Sequence, residues 1–155
     1  MVDLSLFQKS FFMMIIKYIV PFSVIIILVK LFWPKLKGRI GEKRVTNNLN
    51  KLPSDKYFVF NDIMIPSRNG TSQIDHVVVS QYGAFAIETK NYDGWIYGNA
   101  NDKNWTQVLN KHTKHRFLNP LRQNYGHVKA LENLLSLEDI HSIIVFVNGT
   151  IKTEL

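Results

Sequence analysis

Between Gln73 and Lys90 the chain reads QIDHVVVSQYGAFAIETK, and this stretch narrows its folding options more than any other. Two apolar runs, Ile74 to Val79 and Ala84 to Ile87, flank Ser80-Gln81-Tyr82-Gly83. Runs this short, rich in Val and Ile and separated by a Gly-bearing turn, predict two antiparallel strands. Asp75 stands near the start of the first strand, and Glu88 and Lys90 end the second. Side chains alternate faces along a strand, so Glu88 and Lys90 point one way and Thr89 the other. Two carboxylates and an ammonium are thereby carried towards one end of a small sheet. A hard divalent cation takes oxygen ligands of this kind, and a nearby Lys can hold or deprotonate a water. Taken alone, Glu-x-Lys is more commonly a solvated surface pair.

Residues 11–33, FFMMIIKYIVPFSVIIILVKLFW, are apolar except for Lys17, Ser23 and Lys30. A helix of that length rises about 34 Å, enough for a bilayer's hydrocarbon core. Lys30 lies near one end and can snorkel, while Lys17 must reach back from about two turns in. Pro21 predicts a kink. The longest charge-free run is Tyr18 to Val29, short enough to leave a re-entrant or interfacial helix open. A cleaved signal peptide is disfavoured, because no small-x-small site follows. The expected layout is a short tail (1–10), a transmembrane anchor (11–33), a basic juxtamembrane linker (34–38) and one domain (39–155).

Lys30, Lys35, Lys37, Arg39, Lys43 and Arg44 crowd the C-terminal side of the apolar run, against Asp3 and Lys9 before it. The positive-inside tendency then places the domain in the cytoplasm, on a single-pass anchor. The same charges can simply bind anionic headgroups. A formal charge of +7 over 155 residues points to an anionic partner, nucleic acid or a bilayer surface. With no cysteine there are no disulfides and no thiolate metal sites.

Pro34 is expected to stop the apolar helix. A second helix over Arg39 to Leu52 places Ile40, Val45, Leu49 and Leu52 on one face, with Glu42 in its first turn. That glutamate also suits a helix N-terminus electrostatically. A strand over Tyr57 to Ile65, a hairpin turn at Asn69-Gly70 and the two strands above make a three-strand meander. Gly94 to Gly98 suggests a small extra strand. Its aromatics and Trp105 can stack on nucleobases, but closing a small core is the favoured reading. His112 and His115 fit one helix face, without enough neighbours to make a metal site. Asn119-Pro120 opens a helix to Leu135 with Leu121, Val128, Leu131 and Leu135 on its buried stripe. Gln123 and His127 sit four apart in its first turns and can both face the strand ends. A buried strand over Ile140 to Val147 follows, joined to the meander by a parallel crossover. The chain then ends without a closing helix, which leaves the completeness of the domain on that side open.

From about Gly38 to Gly149 the chain resembles the nuclease-related domain, NERD, of the PD-(D/E)xK nuclease superfamily. The motifs that carry the resemblance are Gly41-Glu42, Gln73-Ile74-Asp75-His76, Glu88-Thr89-Lys90-Asn91-Tyr92 with Gly94, Trp105, and Asn119-Pro120 with Gln123. Ile74 stands where the family loosely keeps a proline. The resemblance implies an α/β fold with a restriction-endonuclease-like αβββαβ core and a mixed central sheet, preceded here by one transmembrane helix. It implies Mg or Mn held by Asp75, Glu88 and the Thr89 carbonyl, with Glu42 completing the shell directly or through water. Lys90 would orient or deprotonate the water or stabilise the phosphate, and Gln123 would position Lys90 or the scissile phosphate. The implied activity is phosphodiester hydrolysis in DNA at the membrane face. The alternative is a catalytically inactive nucleic-acid-binding or scaffold module on the same fold.

Overall fold

A computed structural model describes residues 4–67 and 70–152, with side chains from residue 8 onward. The chain divides into two compact units, residues 1–37 and 38–155.

The first unit is helical. α1 covers Leu4–Met14, a π-helical turn covers Ile15–Ile19, and α2 runs from Val20 to Leu49. The widened turn falls just before Pro21, whose ring would otherwise crowd the carbonyl one turn earlier. Ser23 Oγ donates to the Ile19 carbonyl at 2.8 Å, a bond to the backbone at the end of that turn. Pro21 is thus accommodated by a π-turn. Pro34 does not end the helix as expected, since it lies inside α2. A proline forfeits one backbone bond, and the remaining bonds of a helix continuous on both flanks carry α2 past it. Leu49, not Leu52, is the last residue of α2. Gln8–Leu49 includes a segment long and apolar enough, by length and composition, to cross a membrane, and none of that segment is buried.

Among the described residues, the second unit holds the last turns of α2, eight strands and one further helix. β1 (Tyr57–Ser67), β2 (Gly70–Ser80) and β3 (Gly83–Lys90) form the antiparallel meander, and β7 (His141–Phe146) joins parallel to β3. Sheet order is β1-β2-β3-β7. The expected turn at Asn69 lies outside the described residues, while β1 and β2 pair up to Ser67 and Gly70. Between β3 and β7 come β4 (Trp95–Tyr97), β5 (Asn104–Val108), β6 (Lys114–Leu118) and α3 (Pro120–Leu135). With β8 (Thr150–Ile151), strands β4 to β6 make a second sheet in the order β6-β5-β4-β8. His112 and His115 therefore share no helix face: His112 lies in the β5–β6 turn and His115 in β6.

The core joins α3 to the main sheet. Ile65, Ile74, Val77 and Ala86 pack with Val128, Ala130, Leu131 and Ile140. Of the expected α3 stripe, Val128 and Leu131 are buried, whereas Leu135 is 47% exposed near the helix end. Of the expected α2 stripe only Val45 is buried. Asn124, fully buried, stitches α3 to two strands by donating to the Ala86 carbonyl at 2.9 Å and Ser142 Oγ at 2.8 Å.

Candidate active site

Strands β2 and β3 diverge at the chemically interesting end. Their ladder closes with His76 opposite Ile87, one step short of the place where Asp75 and Glu88 would pair. Instead, Asp75 Oδ2 accepts the Thr89 backbone N–H at 2.7 Å. The Lys90 carbonyl accepts from Val147 N on the β7 side. Because successive carbonyls of a strand point to opposite edges, the Thr89 carbonyl is directed to the β2 side, where Asp75 stands.

On the α3 side of this end, Glu88 is buried, at 3% exposure. Its Oε1 accepts from Lys90 Nζ at 2.7 Å and from Gln123 Nε2 at 2.7 Å. Gln123 Oε1 in turn accepts from Lys90 Nζ at 2.9 Å, closing a ring of three side chains. The other carboxylate oxygen, Oε2, faces His127 Nε2 at 3.3 Å, within ion-pair reach but outside a well-directed hydrogen bond. His127 Nδ1 lies 2.6 Å from Ser72 Oγ. A hydroxyl donating to Nδ1 selects the tautomer that turns Nε2–H towards Glu88.

Local sequence explains the placement of these groups. Asn119, fully buried, caps α3 by accepting from Leu121 N at 2.9 Å. Its Nδ2 donates to the Ala100 and Asp102 carbonyls at 2.9 and 2.7 Å, locking the helix start to the β4–β5 loop. Pro120 lacks an N–H at a position where none is needed, so Asn-Pro sets the first turn and delivers Gln123. On the opposite side of β3, His76 is buried and binds Asn61 Oδ1 at 2.7 Å and Thr89 Oγ1 at 3.1 Å. Burial holds His76 below its usual pKa, against the pull of Glu88. Glu42 reaches the region from α2. Its neighbour Gly41 makes this possible, since a Cβ there would meet Asn91 Cβ at 2.6 Å.

Three carboxylates feel one another here. Burial, then the charges of Glu88 and Glu42, push the Asp75 carboxyl up to about 6. Burial, then Asp62 and Glu88, also raise Glu42. Burial acts upward on Glu88 too, but His127 and Lys90 outweigh it and leave Glu88 below its usual range. All five expected side chains, Glu42, Asp75, Glu88, Lys90 and Gln123, thus belong to one electrostatic neighbourhood, with Thr89 between the two strand carboxylates. His127 and Ser72 join them. The four-residue spacing from Gln123 announces His127, whereas nothing local in the sequence singles out Ser72.

Among the described residues, no three His, Asp or Glu side chains gather into a preformed metal shell. The donor set still fits a hard dication of the magnesium type. Such an ion keeps several waters and needs only one or two carboxylates with a carbonyl oxygen. A carboxylate raised first by burial and then by two like-charged neighbours is a position that a cation would relieve.

A mixed sheet of antiparallel meander and parallel crossover, with carboxylates at a splayed strand end and a lysine beside them, is a nuclease-like α/β core. The chain belongs to the nuclease-related domain (NERD) family, whose pattern matches residues 37–147. It is also 41% identical, over 126 residues, to an uncharacterized protein of Bacillus anthracis. That alignment takes in 81% of this chain and 58% of the relative, so the chain spans little more than half of the relative's length. No solved structure matches the chain.

Proposed function

We propose that the chain is a metal-dependent nuclease that hydrolyses phosphodiester bonds in DNA, anchored by residues 11–33 with its domain on the cytoplasmic face of a membrane. The observation that carries this reading is the ring of Glu88, Lys90 and Gln123 beside a second carboxylate, Asp75, at the splayed ends of β2 and β3. Asp75, Glu88 and the Thr89 carbonyl would hold magnesium or manganese, with Glu42 reaching the shell directly or through water. When bound, the ion acts as a Lewis acid and lowers the pKa of a coordinated water. Lys90, fixed by two acceptors, orients the attacking water and offsets charge on the phosphate. Gln123 holds Lys90 and Glu88 in register, which is positioning rather than proton transfer. The charge of +7 favours association with a polyanion.

The 155-residue chain in detergent micelles, offered single-stranded and duplex DNA and RNA with magnesium, manganese or EDTA, tests the reading. Metal-dependent cleavage of DNA that Lys90→Ala and Asp75→Ala each abolish is the expected result. Salt-sensitive binding that survives Asp75→Ala, with no cleavage of any substrate, would replace the enzyme by a non-catalytic binding module. Sidedness is separable. The chain has no cysteine, so Ser136→Cys introduces a unique thiol. A membrane-impermeant maleimide is expected to label it only after cell lysis.

A further inference from the structure

The second sheet buries one face and leaves the other open. Ile96 and Trp105 point inward, at 0% and 1% exposure, and Trp105 stacks on Phe146 with ring centroids 6.2 Å apart. Alternation along β4 then turns Trp95 and Tyr97 outward, at 52% and 39% exposure. Register extends each of them into a rung across the sheet. Trp95 stands opposite Val108, which stands opposite Lys114; Tyr97 stands opposite Thr106, which stands opposite Arg116. The outer face therefore carries a column of two aromatics and, about 10 Å away across two strand spacings, a column of two cations. Lys152 Nζ, a third positive charge, lies over the Trp95 ring at 5.8 Å from its centroid. A groove of about 790 Å³ runs along this same face, lined by Trp95, Tyr97, Val108, Lys111 and Lys114 with no acidic residue in its lining. Lys111, Lys114 and Arg116 form no ion pair among the described residues.

We infer that this face is a binding platform for unpaired nucleic acid, with bases on Trp95 and Tyr97 and phosphates along Lys114 and Arg116. It rests on the reading of the domain as one that acts on nucleic acid. Aromatic faces accept any base, but only bases freed from a duplex can reach them. A cation closing each aromatic rung is the charge pattern that a phosphate backbone complements. The platform belongs to β4, β5 and β6, and shares no side chain with the Asp75–Glu88–Lys90 group.

The test measures binding in EDTA, where cleavage plays no role, so failure of the nuclease reading would leave these affinities intact. The 155-residue chain in zwitterionic nanodiscs is titrated, by fluorescence anisotropy, into a labelled oligothymidine of about 15 nucleotides and an abasic strand of equal length. Wild type is expected to prefer the thymidine strand by roughly fivefold or more, as stacking of one or two bases predicts. Trp95→Ala with Tyr97→Ala should abolish that preference while leaving the abasic strand unchanged, and Trp95→Phe should retain most of it. Lys114→Ala with Arg116→Ala should weaken both strands. Equal wild-type affinity for the two strands, or a double aromatic variant that still discriminates, overturns the inference. So does an unchanged affinity in the double basic variant. A lipid-facing surface is the remaining outcome that would sink it. In that case brominated anionic lipid would quench a tryptophan component that Trp95→Phe removes, and the thymidine preference would be missing.

Discussion

His127 Nε2 stands 3.3 Å from Glu88 Oε2, one helical turn beyond the Gln123 amide that takes the other oxygen of the same carboxylate. Two side chains on one face of α3 thus clamp a single buried group on β3. Glu88 and Lys90 have side-chain exposures of 4% and 15%, so removing one partner strands the others in a poorly solvated place.

Glu88→Ala should accordingly destabilise the domain by about 3–5 kcal/mol, read as a lowered urea midpoint at pH 7. The sign of the pH dependence follows from the depressed carboxyl. Its contribution is present above the unfolded value and is lost as pH falls through the folded one. The difference between variant and wild type should therefore shrink in acid. A difference that grows there would mean that the pairing with His127 and Lys90 is not what holds Glu88.

Asp75 behaves oppositely, because its folded pKa is raised to about 6. A raised carboxyl contributes stability that is fully present below the unfolded value and lost as pH rises through the folded one. Above pH 6 its charge is therefore a burden. Asp75→Asn keeps an oxygen for the Thr89 N–H and removes the charge. It should raise stability by about 1–2 kcal/mol at pH 8, after allowance for partial solvent screening, with little effect at pH 4. Thermal unfolding at the two pH values checks this. Added magnesium should stabilise wild type and not Asp75→Asn.

Gly41→Ala reverses an ordinary rule. In a helix interior alanine is favoured over glycine by about 1 kcal/mol. Here the new methyl would stand 2.6 Å from Asn91 Cβ. Asn91 is itself held by Asn148 Nδ2 at 2.7 Å and cannot swing aside without breaking that bond. A net loss of about 1–3 kcal/mol is expected by chemical denaturation. An unchanged or higher midpoint would show that α2 does not need this close approach.

Asn119→Ala removes the cap of α3 and leaves the Ala100 and Asp102 carbonyls without their donor. A cap alone contributes about 1 kcal/mol and stranded buried acceptors add to that, so about 2–4 kcal/mol is expected. Asn119→Asp restores the cap but not the two donated bonds, and should recover only a fraction. Circular dichroism melts of the three proteins separate the two roles.

Much of the architecture lies in local pattern. The meander, the turn at Gly83, the Asn-Pro start of α3 and the apolar first helix each follow from a few adjacent residues, whose periodicity or backbone limits leave little choice. The same alternation puts Glu88 and Lys90 on one side and Thr89 on the other. Where competing terms are close, local pattern misleads. Pro34 is a strong stop signal, yet α2 absorbs it because one lost backbone bond does not outweigh continuous helix on both sides. Strands β5 and β6 lack a clean period, and their pairing depends on Trp105 finding Phe117 and Phe146.

Which groups meet is a different kind of fact. Asp75, Glu88, Gln123 and His127 are residue types that a chain can announce, but their encounter requires β2 and β3 to diverge before Asp75 and Glu88 can pair, and α3 to lie across β3 at a set rotation. Likewise, Trp95 and Trp105 read alike in the chain, and only the closing of the second sheet sends one inside and leaves the other on the surface. Backbone propensity and alternation act over a few residues, so the amino-acid order alone determines elements and faces. Contact between distant side chains arises from packing the whole unit, and the folded domain alone decides it.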